Sequence, residues 1–313
     1  MQTRTLGKNG LQVSVVGLGC NNFGALDLER SRAVVHRALD AGITLFDTAD
    51  VYGNRGGSEE QLGQILGPRR KDIVLATKFA MQMDDAGAKQ GGSRAYIFEA
   101  VEASLTRLKT DYIDLYQMHR TDPKTPIEET LGALNDLVQQ GKVRQIGCSN
   151  MPAWQVADSQ WVSKTKGLAV FATAQDEYSL IVRDIEKELA RALEHYGMGL
   201  LPYFPLASGL LTGKYKQGEP VPENTRFARM GRFGDRYMTA QNWDIVAALE
   251  TYATERGHTL LDLAFSWLIA RPYLSSVIAG ATKPEQIDAN VKAAGWAMTA
   301  DEVKDIEKIT RKA

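Results

Sequence analysis

A chain of 313 residues with 44% hydrophobic and 24% charged side chains can bury a large core without disulfides or metals, and a formal net charge of −1 gives it no pull towards nucleic acid or an anionic membrane. Only two cysteines occur, Cys20 and Cys148, with no CxxC and no histidine at ligand spacing, which predicts a reduced pair and no metal site. The start, MQTRTLGKNG, lacks an apolar signal-type core, and no run approaches the roughly 20 apolar residues of a membrane helix, so a cytoplasmic location is expected.

The opening segment, Met1 to Ser14, carries a Lys-Asn-Gly turn at Lys8 to Gly10 and is expected to form a β-hairpin. The first buried apolar run is Val15–Gly19. Others follow at Ile43–Asp47, Ile73–Lys78, Tyr112–Met118, Val143–Ser149, Phe171–Gln175, Gly199–Phe204 and Ser276–Gly280. Each has the length of a strand covered on both faces in a parallel sheet. Between them lie stretches with helical spacing. Glu29–Ala41 ends at Gly42, a good residue for the position after a helix. Ser58–Leu66 opens with Ser-Glu-Glu-Gln, which predicts a capping box with Ser58 as N-cap and Gln61 as its partner. Ile97–Leu108, Ile127–Gln140, Asp184–His195, Ala240–Arg256 and Pro284–Ala293 continue the series.

Eight strands alternating with helices predict an α/β fold, a (β/α)8 TIM barrel, with the N-terminal β-hairpin and an extra C-terminal helix, as one domain over 1–313. A doubly wound sheet is the runner-up, but Gly17 to Gly24 lacks the Rossmann glycine spacing and no helix pattern starts at its third glycine. Two connections are long, Met81–Ala95 and Tyr215–Thr239, and connections of that length commonly act as lids or substrate walls.

In such a barrel, reactive groups gather at the C-terminal ends of the strands. Those ends deliver Asp47, Lys78 and His119 from three successive apolar runs, with Tyr52 five residues beyond Asp47. Singly, each has a structural explanation. Asp47 could cap a loop, Tyr52 is one of 11 tyrosines, Lys78 could reach into water, and His119 could be a satisfied structural residue. Together, on one rim and in register with the strands, they form a candidate site.

The segments carrying these residues, with several others, resemble the aldo-keto reductase superfamily over nearly the whole chain. The resemblance lies in Gly17-Leu-Gly19, Phe46-Asp-Thr-Ala-Asp-Val-Tyr-Gly53, Ser58-Glu59 through Leu62-Gly63, Ala76-Thr-Lys-Phe79 and Asp111 through His119. It continues in Gly141-Lys-Val-Arg144, Ile146 through Asn150, Gly209 through Lys214 and Gly280 through Gln286.

The resemblance implies a catalytic tetrad of Asp47, Tyr52, Lys78 and His119, in which Tyr52 is the general acid in carbonyl reduction and the base in oxidation. Lys78 is expected to lower the Tyr52 pKa, Asp47 to hold Lys78 charged, and His119 to orient the carbonyl. It further implies that Ser149, Asn150 and Gln175 bond the nicotinamide amide and that the Tyr203 ring stacks on it. Pro205, Leu206, Ser208, Gly209 and Lys214 would line the pyrophosphate, with Arg226 as a basic residue of the same loop. Gly280, Thr282, Gln286 and Asn290 would hold the adenosine end.

Animal reductases of this superfamily carry a Lys-Ser pair and a later Arg for the 2′-phosphate. Here those positions are Gly280, Ala281 and Gln286, with Lys283 displaced, which resembles the bacterial general-reductase and channel β-subunit branches. The expected cofactor is NADPH (NADP) rather than NADH, and the expected partner is a small-molecule carbonyl substrate. A cofactor-binding regulatory subunit is the alternative. The channel β-subunits carry Asn where this chain has His119, and the fold alone permits other chemistries.

Overall fold

The computed structural model describes residues 1–311 except 224, 226 and 229–233. Strands β1 (Thr3–Thr5) and β2 (Gln12–Ser14) pair antiparallel, and the Leu6 N–H donates to Leu11 O (2.9 Å) to close the loop between them. The hairpin expected of the opening segment is therefore present.

Eight parallel strands follow: β3 (Val16–Gly19), β4 (Leu45–Asp47), β5 (Val74–Phe79), β6 (Ile113–Met118), β7 (Val143–Ser149), β8 (Phe171–Gln175), β9 (Gly199–Leu200) and β10 (Val277–Gly280). Their order is β10-β3-β4-β5-β6-β7-β8-β9. The two edges meet where Leu200 N–H donates to Tyr273 O (2.7 Å) and Ser275 N–H donates to Leu200 O (2.9 Å), just ahead of β10. The sheet thus curls into a (β/α)8 barrel.

The core has two layers because these strands are covered on both faces. Leu45, Val74, Ala76, Leu115, Leu201 and Ile278 turn inward and pack with Leu6 and Val13 of the hairpin. The opposite faces, among them Phe46, Leu75, Tyr116 and Ile146, pack against the helices.

The helices are α1 (Leu28–Asp40), α2 (Tyr52–Ile65), α3 (Arg94–Leu108), α4 (Ile127–Gln139), α5 (Ala153–Lys166), α6 (Leu189–Tyr196), α7 (Ala240–Thr254), α8 (Leu260–Ile269), α9 (Pro284–Ala293) and α10 (Ala300–Arg311). In α1 the buried Ser31, Val34, Val35, Ala38 and Leu39 fall on one stripe, and the Asp27 side chain accepts from Arg30 N–H at its start.

Three expectations need correction. The predicted capping box at Ser58 is not formed. Ser58 Oγ donates to Cys20 O (2.8 Å), and the Gln61 side chain bonds Gly24 N–H (3.0 Å) and Leu26 O (2.9 Å). Both side chains serve the loop after β3, so tertiary partners have displaced the local motif. The expected strand Gly199–Phe204 ends as β9 at Leu200, before Pro202, which has no N–H for a ladder. Asp184–His195 is divided into a 3-10 turn at Asp184–Glu186 and the separate helix α6.

One buried charge anchors the β5–β6 pair from outside the site. Asp114 has no exposed surface, and it accepts from Leu75 N–H (3.0 Å), Arg70 (2.8 Å) and Arg144 (2.8 Å). Asp114→Ala strands the largely buried Arg70 and is expected to cost about 3–5 kcal/mol in unfolding free energy, measurable by urea denaturation. A loss within the error of the extrapolation would show that water reaches and solvates Arg70.

Candidate active site

Asp47 is the last residue of β4, Lys78 is one residue from the end of β5, and His119 directly follows β6, with its N–H donating to Phe79 O (2.9 Å). Parallel register therefore brings the three to one rim. Lys78 has no exposed surface; its Nζ donates to Asp47 Oδ2 (2.7 Å) and Thr48 O (2.8 Å). The other carboxylate oxygen, Asp47 Oδ1, accepts from Gln117 Nε2 (3.1 Å) and Gln175 Nε2 (2.9 Å).

Tyr52 opens α2, and its ring stands edge-on to His119 with centroids 5.7 Å apart. Lys78 Nζ lies 5.0 Å from the Tyr52 ring centroid. The four expected residues are thus together. A run of left-handed residues fixes Tyr52: Gly53, Asn54, Arg55 and Gly56 have φ of 68°, 60°, 65° and 125°. At Gly53 a Cβ would stand 2.6 Å from Ser58 N and 2.7 Å from Phe23 O, so the approach itself requires glycine.

The electrostatics follow from burial and one ion pair. Burial works to discharge Lys78, but Asp47 first and Tyr52 second more than reverse it, so its pKa lies above the ordinary lysine value and the ammonium persists. Burial pushes the Tyr52 phenol up, Lys78 pulls it down, and Asp47 pushes it up again; the net direction is up. The expected downward pull of Lys78 on the Tyr52 pKa is present, and desolvation outweighs it. Tyr52 is therefore a protonated phenol at neutral pH. Burial, aided by Lys78 and Arg120, brings His119 down to about 3, and its Nδ1 is buried with no hydrogen-bond partner among the described residues.

The expected cofactor residues adjoin this group. Ser149 Oγ donates to Gln175 O (2.7 Å). Asn150, left-handed at φ 54°, donates from Nδ2 to His119 O (3.2 Å) and accepts at Oδ1 from the Tyr203 hydroxyl (2.8 Å). Beyond them, Phe204, Ala207, Ser208 and Gly209 have φ of 52°, 46°, 56° and 105° around the buried Pro205 and half-buried Leu206. Such conformations are costly for residues with side chains and cluster at ligand sites. A Cβ on Gly209 would lie 3.1 Å from Lys214 Nζ, so that ammonium rests against bare backbone. This cradle fits a nucleotide pyrophosphate.

Gly280 ends β10, where a Cβ would meet Asn22 Nδ2 at 3.1 Å. Gln286 Oε1 accepts from the backbone N–H groups of Thr282 (2.7 Å) and Lys283 (3.2 Å), and Asn290 is buried on α9. Arg226 lies outside the described residues, as do Arg229, Arg232 and Phe233. Sequence reasoning missed Gln117, whose only signal is an amide inside an apolar strand. It also missed the support behind Tyr52, where buried Glu59 accepts from Thr77 Oγ1 (2.5 Å) and Arg107 Nε (2.7 Å).

Residues 15–311 match the model of the "Aldo/keto reductase family". A protein of Oryza sativa subsp. japonica named "Probable voltage-gated potassium channel subunit beta" is 38% identical over 301 residues, covering 94% of this chain and 91% of the relative. The L-glyceraldehyde 3-phosphate reductase of Escherichia coli (strain K12) is 34% identical over 305 residues, 94% of this chain and 87% of its own. The aldo-keto reductase YhdN of Bacillus subtilis (strain 168) is 34% identical over 322 residues, 99% and 93% of the two chains.

A His119 pKa near 3 against the ordinary 6.5 has a measurable sign. Below the unfolded value the unfolded chain takes up a proton that the folded chain refuses, so this residue makes stability fall as pH falls through that window. Imidazole NMR signals of His119 are expected to stay those of the neutral ring between about pH 8 and about pH 5. A titration midpoint close to the ordinary value would mean that the ring is solvated.

Proposed function

This chain belongs to the aldo/keto reductase family of NAD(P)H-dependent oxidoreductases, and on that premise we propose that it reduces an aldehyde, ketone or aldose to the alcohol, reversibly, with NADPH as hydride donor and Tyr52 as proton donor. The observation that carries the proposal is the buried Lys78–Asp47 pair beside a protonated Tyr52 and a neutral His119.

Bound here, reduced nicotinamide would supply hydride to the carbonyl carbon. The carbonyl oxygen then needs a proton, and Tyr52 gives up its own. The tyrosinate left behind forms beside the Lys78 ammonium, whose charge stabilises it where water cannot. Asp47 keeps that ammonium charged and aimed. The neutral His119 donates a hydrogen bond to the carbonyl oxygen and fixes its orientation. In oxidation Tyr52 starts as the anion and takes the proton back.

Ser149, Asn150 and Gln175 would hold the nicotinamide amide, Tyr203 its ring, and the turn Pro205–Gly209 with Lys214 the pyrophosphate. Asn21–Phe23 and the two long connections would form the substrate walls. The family match over residues 15–311 supports reading the chain as one domain. Two free, buried thiols and the absence, among the described residues, of a helix able to cross a membrane support a cytoplasmic location. The alternative, a cofactor-binding regulatory subunit, draws on the plant relatives named as channel subunits; the presence of His119 in a complete tetrad favours the enzyme.

Tyr52→Phe is expected to lower kcat for carbonyl reduction by about 10²- to 10⁴-fold with cofactor affinity nearly unchanged, and Lys78→Met to do the same. Steady-state assays by loss of reduced-cofactor absorbance check this. Turnover close to wild type in a folded, cofactor-binding Tyr52→Phe variant would remove the phenol from the chemistry.

The preference for NADPH rests on Lys283 and Thr282 at the start of α9, where a helix N-terminus and a lysine suit the 2′-phosphate. Titration by fluorescence quenching is expected to give a lower Kd for NADPH than for NADH, with Lys283→Ala weakening NADPH far more. Equal affinities for the two cofactors would refute the preference.

A further inference from the structure

The segment after His119 carries a carboxylate that the chemistry above does not use. Asp122 Oδ2 accepts from Gly92 N–H (2.8 Å) and Thr125 Oγ1 (2.7 Å), and Oδ1 accepts from Lys124 N–H (2.9 Å). Thr130 Oγ1, at the start of α4, donates to Gly92 O (2.7 Å), and Glu129 Oε1 accepts from Arg94 N–H (2.9 Å). Both polar groups of Gly92 are therefore held from the segment that His119 begins.

Residues 80–93 form the connection out of β5. It leaves the sheet at Ala80, whose φ of 86° is left-handed without being glycine, and Gly91 N–H returns to Ala80 O (3.1 Å). Inside it, Asp84 accepts from the N–H groups of Ala88 (3.3 Å) and Lys89 (3.1 Å), so the loop has internal structure of its own. Its tip is tied on the other side, where Asp85 accepts from Arg55 (2.7 Å) in the turn that follows Tyr52. The loop thus spans from the Tyr52 turn to the His119 segment, the two elements whose rings stand 5.7 Å apart. The fit is close. A Cβ would come within 2.5 Å of Asp122 Oδ2 at Gly91 and within 2.6 Å of Thr130 Oγ1 at Gly92.

We propose that Asp122 is a positioning residue for the reaction: with Thr130 it clasps this loop to the His119 rim, and the clasp sets the carbonyl-binding wall and hence the choice among carbonyl substrates. The inference rests on the carbonyl-reductase reading above. A loop fastened at both sides of the site presents one wall shape; released at Gly92, it keeps the Arg55–Asp85 and Lys89–Glu99 pairs, both exposed and each of small worth. Burial tends to raise the Asp122 pKa, but the Gly92 and Lys124 N–H groups and the Thr125 hydroxyl hold it below the usual carboxylate range, so the clasp stands at neutral pH.

The test uses the full chain as wild type, Asp122→Ala, Asp122→Asn and Gly91→Ala. Gly91→Ala perturbs the same contact from the loop side and so guards against a fold defect peculiar to Asp122. Three measurements are made: the rate of tryptic cleavage after the exposed Lys89 under native conditions, titration of Kd for the reduced cofactor, and steady-state kinetics (kcat and KM) with a small aliphatic and a bulky aromatic aldehyde. In Asp122→Ala, cleavage is expected to quicken by about 10-fold, and the bulky-to-small ratio of kcat/KM to shift by about 10-fold, carried in KM. Small-aldehyde kcat and cofactor Kd are expected to stay within about 2-fold, Gly91→Ala to follow the same pattern, and Asp122→Asn to fall between.

Faster cleavage with an unchanged substrate ratio would overturn the proposal, because the loop would then be clasped but not part of the wall. Unchanged cleavage and ratio would overturn it by showing that Asp122 holds nothing. A wild-type protein that reduces neither these aldehydes nor other carbonyls would overturn the functional reading and this proposal with it, whereas the first two outcomes leave that reading intact.

Discussion

The Lys78 ammonium sits in the mouth of the barrel without exposed surface, and the Asp47 carboxylate 2.7 Å away is what keeps it charged there. Burying an ion costs several kcal/mol unless a counter-charge and further hydrogen bonds satisfy it. The rest of the rim is arranged to meet that demand. Thr48 O takes a second ammonium proton, while Gln117 and Gln175 occupy the free carboxylate oxygen. From Gln175 the network continues through Ser149 to Asn150 and ends at the Tyr203 hydroxyl. The groups read as handling the proton and those read as facing the nicotinamide are therefore one connected set, in which moving one member disturbs the next.

That set is stabilised by backbone that is not. Asn54 and Arg55 sit in the left-handed region, as do Asn150 and the turn at Phe204 and Ala207–Ser208, each at an order of about 1–3 kcal/mol. Strain of this kind persists only where surroundings over-determine it. Behind Tyr52 that role falls to Glu59, held by Thr77 and Arg107, with the Arg107 side chain packed so closely on Gly56 that a Cβ there would lie 2.7 Å from its Cδ. A phenol whose position is fixed in this way loses no freedom when substrate arrives, which is what a proton donor at a fixed distance requires.

The barrel and its rim were readable because both depend on short-range pattern. Apolar runs of strand length mark seven of the eight strands closely, and parallel register carries Asp47, Lys78 and His119 to one end without further information. Three helices, α5, α8 and α10, went unnamed by residue. Helix α8 is apolar almost all round, with Leu260, Leu263, Ala264, Phe265, Ser266, Trp267, Leu268 and Ile269 buried, so no stripe betrays it. The misread Ser58 and Gln61 carry a local motif that long-range partners override. Gln117 and the reach of Asp122 to Gly92 were illegible for the opposite reason: those partners lie 70 and 30 positions away in sequence. The net direction of the Tyr52 pKa was beyond pattern altogether, since it depends on how far burial outweighs a neighbouring charge.

Leu6 and Val13 fill the end of the barrel opposite the Asp47–Lys78–His119 rim, and Gly7 fits so tightly there that a Cβ would stand 2.6 Å from Ala172 O and 2.9 Å from Gly197 O. Lys8 N–H bonds Gly197 O (2.8 Å), Ser275 Oγ bonds Thr5 O (2.7 Å), and Arg4 donates to the carbonyls of Ile269, Arg271 and Leu274. Ala172 and Gly197 lie near the middle of the chain, and Ile269 to Ser275 lie towards its end. The hairpin also packs on Leu45, Val74, Ala76 and Leu115, but it is fully seated only once β8, β9 and the approach to β10 are in place, so the floor is finished after most of the walls. Until then the barrel's inner apolar faces stand open from below, so a folding chain has to be kept from other chains until the hairpin seals it.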